Sequence, residues 1–369
     1  MVMARVALVH DWLNQIGGAE SVLEVLVRLF SSAPVYTTIY GPELMPDRYR
    51  AWDIRTTFLD KAPGVHRHHQ YYLPLYPLAV HSMSLQGYDV VISNKSGFCH
   101  GVRTTNRQLH IDYCLTPTRY VWDFATYAER EQMGLGARLA LRPLVSWLRR
   151  WDRRAADRVD HFVAISTEIQ QRIKRYYGRD SVIIYPPVDT GLYRPSSDAP
   201  ERFFLVASRL IPYKRIDLAV RACSALGVPL VVVGEGRDRA ALEAMAGPTV
   251  EFRGRVSAKE LSWLMSHCRA FFFPGREDFG IAPVEAQAAG RPVIAFAAGG
   301  ALDTVVSNKT GIFFSEQTVD SLVEAILSLD RHTFDPAIVR ENAERFGVER
   351  FEREFVGYVA ETWQTFMSN

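Results

Sequence analysis

Glu277 and Glu285 stand eight residues apart in the stretch FFFPGREDFGIAPVEAQAAGRPVIAF, residues 271 to 296. Each is a carboxylate that can accept hydrogen bonds from two vicinal hydroxyls at once. Between them lie the loop Asp278-Phe279-Gly280-Ile281-Ala282 and Pro283, a residue type favoured at the first helical position. A helix starting there presents unpaired first-turn N–H groups and the positive end of its dipole, which suits an anion. Gly280 lets backbone approach a ligand closely. Two acids flanking an anion site suit a molecule with a sugar at each end of a diphosphate.

Such a site needs a strand before the loop and a helix after it, and the surrounding sequence supplies both many times over. Short apolar, β-rich runs alternate with helical patterns along the chain: RVALVHDW, YDVVIS, LHIDYCL, HFVAIS, SVIIYPPV, RFFLVASRL, VPLVVVG, RAFFFP and RPVIAF. None alternates strictly, so the strands are expected to be buried on both faces, with helices crossing between parallel neighbours. The stretch PPVDTGLYRPSSDAP, residues 186 to 200, has no periodicity and reads as a linker. The expected architecture is α/β, with two doubly wound Rossmann-like domains facing a cleft. They cover residues 1–195 and 196–349, and an amphipathic helix at 350–369 packs back on the first. Ligands of such sheets sit outside the carboxyl ends of the strands, and the loop holding Glu277 is one such end.

The whole composition bounds the function. The 369 residues suffice for about two domains, and 48% hydrophobic with 23% charged residues is ordinary for a globular protein. A net charge of +2 argues against a dedicated nucleic-acid binder. The four cysteines, Cys99, Cys114, Cys223 and Cys268, are scattered without a CxxC pair, which suits a reducing cytoplasm. No apolar run is long enough to span a bilayer, and the opening RVALVHDW reads as a strand rather than a signal peptide.

The spacing E-x7-E in EDFGIAPVEAQAAGRPVIA closely resembles the signature of the family 4 retaining glycosyltransferases of the GT-B fold. SRLIPYKRIDLAV, residues 208 to 220, is similar to that family's diphosphate-binding segment, and VHDWLNQIGGAESVLEVL to its N-terminal one. The resemblance runs over most of the chain, is strongest from residue 203 to 312, and leans toward bacterial exopolysaccharide and O-antigen mannosyltransferases. Those often begin HDW…GGAE and carry a segment like Arg119-Tyr120-Val121-Trp122-Asp123 here.

The resemblance implies that Glu277 binds hydroxyls of the donor sugar, that Glu285 binds the nucleotide ribose, and that Arg209 and Lys214 hold the diphosphate. Permanent cations after a strand end fit that role. Backbone at Gly17 and Gly18, and the loop residues Phe279, Gly280 and Ile281, would complete the donor site. Gly234 in GEG and Arg255 in FRGRV would lie beside the base. Neither a cofactor nor a metal is expected. No Asp-x-Asp occurs, and the HRHH cluster of His66, His68 and His69 lacks ligand spacing and reads as a solvated or acceptor-facing patch. Leaving-group charge would then fall to Arg209, Lys214 and helix N-termini.

One position departs from the family. Many relatives carry a histidine after the strand that here reads DYCLTPTRY, where this chain has Leu115. His110 lies at least ~15 Å away along that strand. His10 and Asp11 end the first strand, and Asp11 ranks first as an acceptor-side acid. From Arg130 to Arg158, eight arginines stand against Glu131, Asp152 and Asp157, interleaved with Trp147, Trp151, Leu141, Leu144 and Leu148. Such a helix either meets a membrane surface or is a core helix with a charged rim.

The expected function is transfer of mannose from GDP-mannose, with retention, to a polyprenyl-diphosphate-linked or other glycan. The expected place is the cytoplasm, with peripheral membrane contact. A UDP- or dTDP-sugar donor, another GT-B activity and an inert sugar-nucleotide-binding partner are the competing readings.

Overall fold

Apolar runs without strict alternation form two separate parallel sheets in a computed structural model that describes residues 4–125, 128 and 133–368. The first sheet has β1 (Val6–His10), β2 (Val35–Thr37), β3 (Ile54–Arg55), β4 (Val90–Lys95), β5 (Leu109–Cys114), β6 (His161–Ala164) and β7 (Ser181–Ile183). Their order is β3-β2-β1-β4-β5-β6-β7, and every pair is parallel. Leu8 sits opposite Val35 on one side and Ile92 on the other. All residues of β4 and β5 are buried, which is why these strands show no polar alternation.

The second sheet has β8 (Phe204–Ala207), β9 (Leu230–Val233), β10 (Val250–Gly254), β11 (Ala270–Phe273), β12 (Val293–Phe296) and β13 (Gly311–Phe314). Their order is β10-β9-β8-β11-β12-β13, again all parallel. Strand order reverses beside β1 in the first sheet and beside β8 in the second, and each reversal opens a place outside the strand ends. Each sheet has its own apolar core, one around Val9, Phe98 and Leu148 and one around Phe204, Phe272 and Leu322.

The chain divides into two units, Met1–Pro187 with Phe351–Asn369, and Val188–Arg350. The first boundary precedes the expected one because the stretch read as a linker is anchored in the second unit. Val188 N–H donates to Phe346 O at 2.9 Å, and Tyr193 is buried. The last helix, Val348–Ser368, joins the first unit from Phe351 onward, where Phe351 and Phe355 pack edge-on against Tyr113 of β5.

The helix Leu135–Ala156 is tied to the first sheet by a buried polar knot. Asp152 accepts from Thr118 Oγ1 at 2.7 Å, Trp122 Nε1 at 2.6 Å and Tyr177 Oη at 2.7 Å. Lys95, at the end of β4, reaches the same Thr118 hydroxyl at 3.3 Å. A buried carboxylate persists only with such partners.

Candidate active site

In the second unit the loop after β8 turns at Pro212–Lys214, a single turn of 3-10 helix, and leaves it through Arg215 at φ 52°. That turn carries Lys214, whose ammonium pairs with the carboxylate of Glu277 on the loop after β11. Both side chains keep some exposure, 14% for Lys214 and 18% for Glu277. The two loops are pressed together. A Cβ on Gly275 would stand 2.9 Å from Tyr213 O, and Gln317 Nε2 holds Pro274 O at 2.9 Å. Arg209 precedes the turn and is exposed. Gly234 and Gly236 pack directly on Ser208 O and Leu210 O, so the GEG segment flanks the backbone that carries Arg209. Arg255 is exposed beyond β10.

The loop between Glu277 and the following helix is shaped by glycine. Gly280 has φ 90°, and a Cβ there would meet the Phe273 ring at 2.6 Å. Its left-handed turn starts the helix Ile281–Ala288 two residues before Pro283. Pro283 is therefore the third helical residue rather than the first, and it removes one of the first-turn donors. Gly280, Ile281 and Ala282 still offer N–H groups. Phe279 turns its ring inward against Phe346, at 5.6 Å between centroids, so only its backbone serves the loop's open side. Two residues that sequence reasoning passed over hold this loop from behind. Gly300 N–H donates to Glu277 O at 2.9 Å, and Cβ atoms on Gly299 and Gly300 would stand 2.2 Å from Glu277 O and Phe279 O respectively. A Gly-Gly pair separated by two residues from the end of β12 was the available signal.

Glu285 lies inside that helix and receives a hydrogen bond from the hydroxyl of Tyr193. Burial pushes its carboxyl up to about 7, a rise that the Tyr193 bond partly opposes. Tyr193 was the other residue missed, because the stretch holding it looked like a linker.

The first unit treats its strand-end residues differently. Asp11 is buried and both its oxygens are committed. They accept the N–H groups of Ser96 at 2.7 Å, Gly97 at 2.6 Å, Phe98 at 2.6 Å and Cys99 at 2.8 Å, together with the Ser96 hydroxyl at 3.2 Å. This corrects the expected acceptor-side acid, since Asp11 is the anchor that folds the loop after β4. Asp11→Ala is expected to lower stability by on the order of 3 kcal/mol, read as a fall in melting temperature.

His10 is buried between Glu20 at 3.4 Å and Asn94 at 3.3 Å. Gly17 caps the helix Gly18–Leu29, and both glycines are exposed. His110 is buried on Ser93 near the start of β5, and burial holds its imidazole down at about 3, so it does not stand in at Leu115. Leu115 is itself buried.

The HRHH stretch is not simply solvated. His66 bonds to Asp60 at 2.9 Å, and His69 is buried 4.9 Å from the Trp12 ring, which holds it neutral with a pKa lowered to about 4. Among the described residues, no group of three or more His, Cys, Asp or Glu is placed to hold a metal. The basic segment is a packed helix in its later part, where Trp151 lies on Phe98, while Arg150, Arg153 and Arg154 are exposed. Arg130 and Glu131 lie outside the described residues.

Comparison with known proteins decides the family. A family model described as "Glycosyltransferase Family 4" matches residues 16–192, and one described as "Glycosyl transferases group 1" matches residues 193–346. The chain belongs to the family 4 glycosyltransferases of the GT-B fold. It is 33% identical over 208 residues to the GDP-mannose-dependent alpha-(1-6)-phosphatidylinositol monomannoside mannosyltransferase of Mycobacterium tuberculosis, covering 48% of this chain and 54% of that one. It is 31% identical over 201 residues to a GDP-mannose-dependent alpha-mannosyltransferase of Mycolicibacterium smegmatis, covering 52% and 51%. The matches thus span about half the length of these curated relatives.

Among solved structures, Anabaena HepE in complex with UDP superimposes with TM-score 0.70 at 18% identity, covering 97% of this chain and 100% of that one. Sucrose-phosphate synthase of Thermosynechococcus elongatus gives 0.72 at 18%, with the same coverage. The Lys214–Glu277 pair thus sits where the loops after two neighbouring strands of the second sheet, β8 and β11, meet.

Proposed function

We propose that the protein transfers mannose from GDP-mannose, with retention and without a metal, to a polyprenyl-diphosphate-linked or other glycan acceptor in bacterial surface polysaccharide synthesis. The observation that carries this reading is the Lys214–Glu277 pair at the strand-order reversal, with Arg209 exposed earlier on the loop that carries Lys214. A cation and a sugar-binding carboxylate held together on two loops place leaving-group charge and the transferred sugar side by side. As the glycosyl–phosphate bond opens, negative charge grows on the departing diphosphate. Lys214, Arg209 and the N–H groups at Gly280 to Ala282 meet it without reorganisation. Glu285 and Tyr193 hold the ribose end. The GDP-mannose dependence of the mannosyltransferase relatives favours GDP-mannose over the UDP seen in HepE, whose 18% identity bears on fold alone.

A thermal-shift screen of GDP-, UDP- and dTDP-sugars tests the reading. GDP-mannose at 100 times its dissociation constant is expected to add about 2.7 kcal/mol of stability. Transfer is expected to survive EDTA. No shift with any sugar nucleotide, or loss of activity on chelation, sinks the proposal in the corresponding part.

A second test uses Glu285. Its carboxyl keeps its proton up to about pH 7, and the protonated form is the poorer acceptor for a ribose diol. GDP affinity is therefore expected to weaken as pH falls from 8 to 6, by up to about tenfold per unit below 7. Glu285→Gln removes the group that titrates and should flatten this dependence relative to wild type in parallel calorimetry.

Leu115 favours one other reading, an inert sugar-nucleotide-binding partner of a glycan assembly complex. Slow hydrolysis of GDP-mannose by the purified protein separates the two, since an inert protein shows none. Among the described residues no helix is long and apolar enough to cross a membrane. We place the protein in the cytoplasm with peripheral contact at the inner membrane face, on the strength of the exposed arginines at 150, 153 and 154.

A further inference from the structure

The helix Leu135–Ala156 has two unlike halves. Its buried residues, Leu148, Asp152, Ala155 and Ala156, all fall from position 148 onward. Ahead of them Leu135 is 78% exposed and Leu139 is 55% exposed. Leu135, Arg138, Leu139, Arg142 and Arg149 recur at helical spacing and share one face. With Trp122 they line a cavity of about 500 Å³, within the range of small-molecule sites.

The chemistry of that lining is mixed in a particular way. Among the described residues it holds three guanidiniums and one carboxylate, that of Asp123. Arg149 lies over the Trp122 ring at 5.4 Å and donates to Val121 O at 2.7 Å, and Arg138 donates to Met133 O at 2.8 Å. Each guanidinium carries five N–H donors, so these bonds leave donors over. Arg142 has no hydrogen bond or ion pair with the described residues. A neutral apolar ligand would leave this positive charge unanswered, and a small hydrophilic anion would leave Leu135, Leu139 and the indole unused. An amphiphilic anion answers both.

We propose that this cavity binds the phosphate-bearing end of a single-chain isoprenoid phosphate, with the phosphate on Arg138, Arg142 and Arg149 and the chain running along Leu135 and Leu139. The proposal rests on the reading of the protein as a transferase with a lipid-linked acceptor, and assigns where the carrier is gripped. A cavity, rather than a flat charged face, suits one chain ending in phosphate better than a two-chain bilayer lipid. Arginine suits the phosphate because its planar fork makes paired hydrogen bonds.

The test is calorimetry with farnesyl phosphate, run with saturating GDP so that the diphosphate site at Lys214 is filled. Farnesol, inorganic phosphate, and phosphatidylcholine vesicles with and without phosphatidylglycerol form the comparison arms. Farnesyl phosphate is expected to bind, with farnesol and phosphate each at least tenfold weaker. Arg142→Glu and Leu139→Asp are each expected to weaken it about tenfold or more. Both variants should bind GDP as wild type does, which reports that they fold.

Equal farnesyl phosphate affinity in wild type and both variants overturns the proposal. So does phosphate binding as tightly as farnesyl phosphate, or binding confined to anionic vesicles. Farnesyl phosphate binding in a protein that neither hydrolyses nor transfers from GDP-mannose would sink the transferase reading and leave the lipid site standing.

Discussion

Glu277→Gln is expected to cut turnover about 10²-fold or more while GDP affinity stays within a few-fold of wild type. The variant keeps the shape but removes the charge that pairs with Lys214 and one acceptor for the sugar hydroxyls. In a retaining transfer without a covalent intermediate, the sugar must stay pinned while its bond to phosphate opens and the acceptor enters on the same face. Orientation therefore supplies much of the rate. Lys214→Ala should cost a similar factor by removing a cation aimed at the leaving group, by comparison with loss of one oxyanion donor. Because each partner holds the other, the double variant is expected to lose much less than the product of the two single losses. Single-turnover assays beside calorimetry with GDP decide the matter. Normal transfer by Glu277→Gln, or a tenfold loss of GDP affinity in it, would show that the two acids do not divide sugar and ribose as proposed.

The second large effect is expected at Gly300. Its backbone is ordinary, so Gly300→Ala carries no conformational strain of its own. The added methyl, however, would lie 2.2 Å from both Cα and O of Phe279, and backbone cannot yield as a side chain can. The loop from Glu277 to Gly280 must shift, taking its N–H groups and the Lys214 partner with it. A stability loss of about 2 kcal/mol or more is expected, with donor affinity down at least tenfold. Gly357→Ala is the control. Nothing lies within 4 Å of a Cβ there, and the helical site should gain up to about 1 kcal/mol. Melting curves and GDP titrations on both variants check this, and a Gly300→Ala protein that binds GDP normally removes that pair from the site's support.

The sheets were legible because doubly buried parallel strands leave a distinctive trace. Continuous runs such as Phe271–Phe273 and Val231–Val233 have no polar alternation, and Gly and Pro punctuate them. The proximity of Lys214 and Glu277 was not readable in the same way. They are 63 positions apart by their numbering and meet only because β8 and β11 are neighbours at the reversal of strand order. Asp11 was misread for a related reason. An acid at a strand end looks the same in sequence whether it faces a ligand or folds the next loop, and here four backbone N–H groups claim it. Tyr193 was hidden because Pro, Ser and Asp around it mimic a linker, whereas burial of its ring is a tertiary event.

The division of the chain also has a consequence for synthesis. The first unit begins at the N-terminus but is completed by Phe351–Asn369, so the whole of residues 188–350 must be made in between. At ribosomal rates of roughly 5–20 residues per second, that delay is on the order of 10–30 s. Throughout it, Tyr113 and Phe30 lack Phe351 and Phe355, the aromatic rings that later pack on them. The nascent first unit thus spends that interval with an apolar patch uncovered, and a premature stop near residue 350 would leave it so for good, prone to aggregate.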